Sequence, residues 1–154
     1  MLREERAQKF FLDGYACSQA IVLAFKDVVD IDEEALKKIS LPFGGGIGRL
    51  RLTCGAFSGM LMVISLLFSN YEDIEENKIK TYEIVQELSK RFTEQLGTLS
   101  CEQLLIKANL EIEKGGHPES RTDEYYKKRP CAKIVYTSAK ILKDYLIEMK
   151  VIKE

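Results

Sequence analysis

Four cysteines, Cys17, Cys54, Cys101 and Cys131, are the residues of this chain best suited to chemistry. A thiolate is both a nucleophile and a soft metal ligand. Each of the four stands where a helix is predicted to begin, and each opens that helix's apolar stripe. Ser100 followed by Gln103 is a capping-box pattern that places Cys101 first in its helix. Thr53 is expected to cap a helix opening at Cys54, and Pro130 suits the first turn of a helix carrying Cys131. Ala16, ahead of Cys17, is a poor cap. Four such placements predict helices that aim their N-termini at one place, where the positive helix ends favour thiolate.

Spacing excludes the commonest cysteine modules. No Cys-x-x-Cys is present, so zinc ribbons and thioredoxin-type motifs do not fit, and without Cys-x-x-Cys-His covalent haem is not expected. A site made from these thiols must be assembled by the tertiary fold. Close thiolates would carry up to four negative charges, against roughly half a charge per helix end. The cluster therefore holds a cation such as iron or zinc, holds an iron–sulfur cluster, pairs into disulfides, or keeps some thiols protonated. Cys17, Cys54, Cys101 and Cys131 are the candidate metal and cofactor ligands. For thiol redox chemistry, basic neighbours single out Cys54, near Arg49 and Arg51, and Cys131, near Lys127, Lys128, Arg129 and Lys133. Cys101 has Glu102 beside it, and no basic residue lies near Cys17 in the chain.

The glycine-rich stretch Gly44-Gly45-Gly46-Ile47-Gly48-Arg49 invites a phosphate-loop reading. No Lys-Ser or Lys-Thr follows it, Gly-x-Gly-x-x-Gly is absent, and no strand precedes it, so the pattern fails. The glycines instead predict close approach of backbone to backbone. His117, the only histidine, sits between Gly116 and Pro118 in a polar stretch over 113–130 and reads as a solvated loop residue. That stretch reads as a lid or a loop.

The elements that must position the thiols are helices. Apolar spacing predicts helices over 2–12, 16–29, 32–40, 54–68 and 71–96, one opening at Cys101 with its apolar face reaching Ile112, and a last one from Cys131 to about Met149. Leu2, Ala7, Phe10 and Phe11 are expected inward on the first. Tyr71, Ile74, Tyr82, Val85, Leu88, Phe92 and Leu96 form the stripe of the fifth, which Gly97 stops. From Phe57 to Phe68 only Ser58, Gly59 and Ser65 are not apolar, so this helix is expected at the centre. Those residues reach only ~18 Å, short of a ~30 Å bilayer core. Gly59 is expected to mark a close helix crossing.

Hydrophobic residues make up 45% of the 154-residue chain and charged residues 31%, with net charge −1, as in a soluble single domain. Nucleic-acid and membrane-surface roles are not expected. The opening MLREERAQKF is too charged for an apolar signal core, so the expected location is the cytoplasm.

With Cys17 in ACSQA, Cys54 in TCGAFSG, Cys101 in LSCEQLL and Cys131 in RPCAKIV, the chain resembles the redox-active family named for its pattern C_GCAxxG_C_C. Cys54, Gly55, Ala56 and Gly59 match its middle motif, Cys-Gly-Ala-x-x-Gly, and the likeness spans roughly residues 10–145. Ala16 stands where that family leads one to expect asparagine. The resemblance implies a small helical redox or metal-binding protein. A domain of this kind is also similar to part of the split-Soret cytochromes, which implies iron–sulfur binding.

The sequence thus predicts one all-α domain over residues 1–154, a helical bundle around 54–68. Its first expected function is electron transfer through a metal or iron–sulfur cluster on four cysteines. The alternatives are a thiol–disulfide oxidoreductase using cysteine pairs and a structural protein with inert thiols. A redox partner is implied but not identified, and a second copy of the chain is a further candidate partner.

Overall fold

The computed structural model describes residues 1–70 and 72–154. Eight right-handed helices are formed among the described residues: α1 (Arg3–Leu12), α2 (Cys17–Ala24), α3 (Glu33–Ser40), α4 (Gly55–Phe68), α5 (Ile74–Leu96), α6 (Cys101–Lys107), α7 (Asp123–Lys128) and α8 (Cys131–Glu148). Their only strand-like pairing is a single antiparallel bridge between Thr53 and Ser100. The protein is all-α, as its periodicity predicts. No helix among the described residues is long and apolar enough to cross a membrane.

Local signals explain most of the boundaries. Asp32 accepts from Ala35 N and starts α3; Ser100 accepts from Gln103 N and starts α6. Gly97, at φ 93°, ends α5. Several boundaries differ from the sequence reading, among them the end of α6 at Lys107, short of Ile112. Leu2 is the exposed N-cap of α1 rather than part of its inner face. The second helix stops at Ala24, and the chain continues to Val28 through tight turns such as Phe25 N to Val22 O. The fifth starts at Ile74, capped by Asp73; Tyr71 lies outside the described residues.

The centre is shared by two helices. α4 buries Gly55, Ala56, Phe57, Gly59, Met60, Val63 and Ile64, while Leu66 on its outer side is 43% exposed. α2 is buried from Ser18 through Ala24, all round rather than on one stripe. Its two polar residues are satisfied internally: Ser18 donates to Ser40 O at 2.7 Å and Gln19 to Lys37 O at 3.0 Å. α2 packs on α4, and α1 and α8 pack on each other and on α2. At the α2–α4 crossing a methyl on Gly59 would lie 2.8 Å from both Ile21 Cβ and Ser18 O, so the helices meet there without room for a side chain. α1 and α8 are also tied by Glu4, 2% exposed, which accepts from Lys143 Nζ at 2.7 Å.

α5 only partly follows its predicted stripe. Leu88 and Phe92 are buried, but Ile74 and Tyr82 are 72% and 58% exposed. A helix of this length spans ~35 Å and runs past the core it packs on.

Candidate functional site

All four cysteines line one cavity of about 280 Å³, at the end of the bundle where α2, α4, α6 and α8 begin. Cys17, Cys101 and Cys131 are each the first residue of a helix. Cys54 is itself the N-cap of α4, so Thr53 is not the cap the sequence suggested. Thr53 is drawn instead into the bridge to Ser100. Around that bridge Cys54 N donates to Leu99 O at 2.7 Å and Cys101 N to Leu52 O at 2.6 Å. These backbone bonds bring two thiols 47 positions apart in sequence to one wall. The weak cap at Ala16 is offset by Gln19, whose Oε1 accepts from Ala16 N at 3.0 Å.

Two glycines make room for sulfur. A methyl on Gly55 would lie 2.5 Å from Cys17 Sγ and 2.6 Å from Phe43 O. One on Gly46 would lie 2.6 Å from Cys101 Cβ and 2.7 Å from Leu52 N. Gly46 belongs to a run of five positive φ values over residues 45–49: 67°, 68°, 68°, 53° and 67°. Ile47 and Arg49 share this left-handed turn, where side chains clash with their own backbone. The strain is held by backbone bonds that close the turn over six residues, Arg51 N to Gly45 O and Leu52 N to Gly46 O. The glycine stretch is thus a left-handed turn against Cys101, in keeping with the backbone approach its sequence predicts.

That turn decides where its arginines go. Arg49 and Arg51, expected beside Cys54, are 8% and 7% exposed and reach elsewhere. Arg51 Nη1 lies 3.8 Å from Cys101 Sγ, and its Nε donates to Glu113 O at 3.0 Å. Arg49 donates to His117 O and pairs with Glu113 Oε2 at 3.3 Å. Around Cys131, Arg129 and Arg121 line the cavity, but Lys127, Lys128 and Lys133 are exposed. Arg129 pairs with Glu119. Arg121 lies 4.3 Å over the Phe11 ring and donates to Phe11 O and Tyr15 O. His117 is exposed and contributes its backbone oxygen rather than its ring.

Burial wins over the helix ends. It pushes the Cys54 thiol well above its ordinary range, and a thiolate at Cys17 would push it further; the N–H groups of Phe57 and Ala56 offset this only partly. Cys17 is also raised by burial, against the Gly45 and Ser18 N–H groups. Cys131 is pushed up to about 12 by burial and by Cys17 and Cys101, with Arg129 and Arg121 pulling the other way. The thiolates expected from helix dipoles are therefore protonated at neutral pH at these three positions.

The reactivity expectation changes accordingly. Basic neighbours in the chain favour Cys54 and Cys131, but the arginine that hydrogen-bonds a cysteine sulfur is Arg51, at half-buried Cys101. In reduced, metal-free protein, mass-spectrometric mapping of brief iodoacetamide labelling should find Cys101 modified first and Cys54 last. Leading modification of Cys54 would show that neither burial nor the Arg51 contact sets the order of reactivity.

The sequence reading missed α7 and with it the far wall. Thr122 caps Tyr125 N, with Asp123 and Glu124 in the first turn and Lys127 and Lys128 in the last. Those signals were readable; Arg121 and Tyr125 as cavity-lining residues were not, since nothing in a loop sequence says which way it folds back. As the side chains stand, no three Cys, His, Asp or Glu residues among the described residues converge tightly enough to grip one metal ion. No cysteine is paired in a disulfide.

No curated protein and no solved structure matches the chain. A family model described as "Putative redox-active protein (C_GCAxxG_C_C)" matches residues 15–145, which include all four cysteines, and the chain belongs to this family.

Proposed function

We propose that the protein is an electron-transfer module whose four cysteines hold an iron–sulfur cluster. One observation carries this reading: four thiols from four separate helix starts line a single, largely buried cavity. The donor set is all sulfur, which suits iron–sulfur chemistry, and it surrounds a volume instead of meeting at a point. That spacing favours a polynuclear cluster over one iron or zinc ion. A bound cluster supplies reversible one-electron transfer. The chain's own residues would do the rest. Burial keeps water from the sulfurs, and Arg51 sets one positive charge against Cys101 Sγ. Cys101, half-buried beside Arg51, is one of three sulfur positions more open than buried Cys54. Loading must displace protons from Cys17, Cys54 and Cys131, so uptake should strengthen as pH rises.

A second reading, thiol–disulfide exchange, is favoured by the unpaired thiols and the Arg51–Cys101 contact. Two thiols would form one disulfide and give two protons and two electrons to a partner disulfide. Anaerobic reconstitution with ferrous iron and sulfide, followed by a potentiometric titration read by electron paramagnetic resonance, separates the two. A reversible one-electron signal supports the cluster. Failure to take up iron, with a two-electron thiol couple, supports exchange.

A further inference from the structure

We propose that the arginine side of the cavity is a binding site for a small dianion, an oxyanion or a short dicarboxylate, separate from whatever the cysteines hold. Arg49, Arg51, Arg121 and Arg129 all line the cavity. Two carboxylates answer these four guanidiniums: Glu113 pairs with Arg49 and Glu119 with Arg129. Among the described residues Arg51 and Arg121 have no carboxylate partner; they spend donors on backbone oxygens, on Tyr126, and, for Arg51, on the Cys101 sulfur. Two positive charges are therefore left over in a poorly solvated place, where their field is strong.

A second observation points the same way. Arg49 is 8% exposed, and its Nε is buried with no hydrogen-bond partner among the described residues. A buried donor of a charged group is ordinarily satisfied, so the Arg49 guanidinium is answered incompletely by Glu113 and His117 O. Guanidinium forks match the paired oxygens of oxyanions and carboxylates, which selects this class over a neutral ligand. The cavity, about 280 Å³ in all and shared with the four thiols, restricts it to small molecules. Arg49 and Arg51 come from the left-handed turn and Arg121 and Arg129 from the 113–130 segment, so this wall is not built from the helix starts that carry the cysteines.

The test is calorimetric titration of sulfate, and separately of malonate, into reduced protein of measured iron content, before and after chelation. One saturable site is expected in both forms, with nitrate at least about tenfold weaker than the better dianion. Stronger sulfate binding identifies an oxyanion site and stronger malonate a dicarboxylate site. Arg49→Gln should weaken binding at least about tenfold. Arg121→Lys, which keeps the charge and is the safer variant for folding, should weaken it several-fold. Arg91→Gln, on an arginine paired with Glu87 and Glu148 away from the cavity, should leave it unchanged. Bound sulfate should also slow iodoacetamide at Cys101. Absence of binding at millimolar dianion, binding undiminished in both cavity variants, or binding only after chelation would overturn the proposal. The last result would assign the arginines to the cluster alone, leaving the redox reading intact.

Discussion

Cys17→Ser is expected to abolish iron uptake while leaving the fold in place. Cys17 is coupled to the other three thiols: a thiolate there would raise both Cys54 and Cys131, and one at Cys101 would raise Cys17. Its sulfur also sits against Gly55, at the head of α4, in space that only a glycine leaves open. A serine hydroxyl is a hard, weakly acidic donor and a poor substitute for thiolate on iron. Changes merely behind metal ligands cost 10–100-fold in affinity, so loss of this ligand should cost more than ~100-fold. The hydroxyl is close to isosteric and has the Gly45 and Ser18 N–H groups nearby, so far-ultraviolet circular dichroism should be unchanged. Full iron content in the variant, at wild-type affinity, would remove Cys17 from the ligand set.

The largest effect on stability is expected from Glu4→Ala. Glu4 and Lys143 have side chains 3% and 13% exposed and join α1 to α8 at 2.7 Å. Truncating Glu4 leaves the Lys143 ammonium in a low-dielectric place without its partner, which costs ~3–5 kcal/mol, or roughly 6–20 °C in melting temperature at this size. Replacing both partners, Glu4→Leu with Lys143→Met, should recover most of that loss. Burial pushes the Glu4 carboxyl up, but the Lys143 hydrogen bond, together with the Lys143 and Lys140 charges, outweighs it and holds the pKa below the ordinary 4.5. A carboxylate lowered on folding stabilises the fold above its unfolded pKa, and that contribution disappears as pH falls through the folded value. Wild type and variant should therefore converge in stability as pH falls below the ordinary carboxylate range and diverge above it. Thermal melts across that range measure it. A single-variant loss under ~1 kcal/mol would place the pair with exposed ion pairs.

The two cases show what was legible from sequence. The caps at Asp32 and Ser100, the stop at Gly97 and the helix-initial positions of Cys17, Cys101 and Cys131 all follow from local chemistry, and the structure keeps them, while Cys54 moves to the N-cap. Gly59 was readable as a close crossing because an interior helical glycine needs a packing reason. Glu4 was not readable as buried, because its partner lies 139 positions away. α2 reads as one-faced because Ser18 and Gln19 look like a polar side; tertiary hydrogen bonds to α3 make that side interior. The reach of Arg51 past Cys54 to Cys101 depends on a left-handed turn whose hand the glycines permit but do not dictate.

The central claim, that four thiols act together on one polynuclear centre, is tested most directly by counting iron and acid-labile sulfide per chain in anaerobically isolated protein. The result expected is iron and sulfide in equal amounts, at least two of each per chain, with all four cysteines shielded from alkylation until the protein is unfolded. Iron or zinc without labile sulfide, or four freely titrating thiols with neither metal nor sulfide, would contradict it.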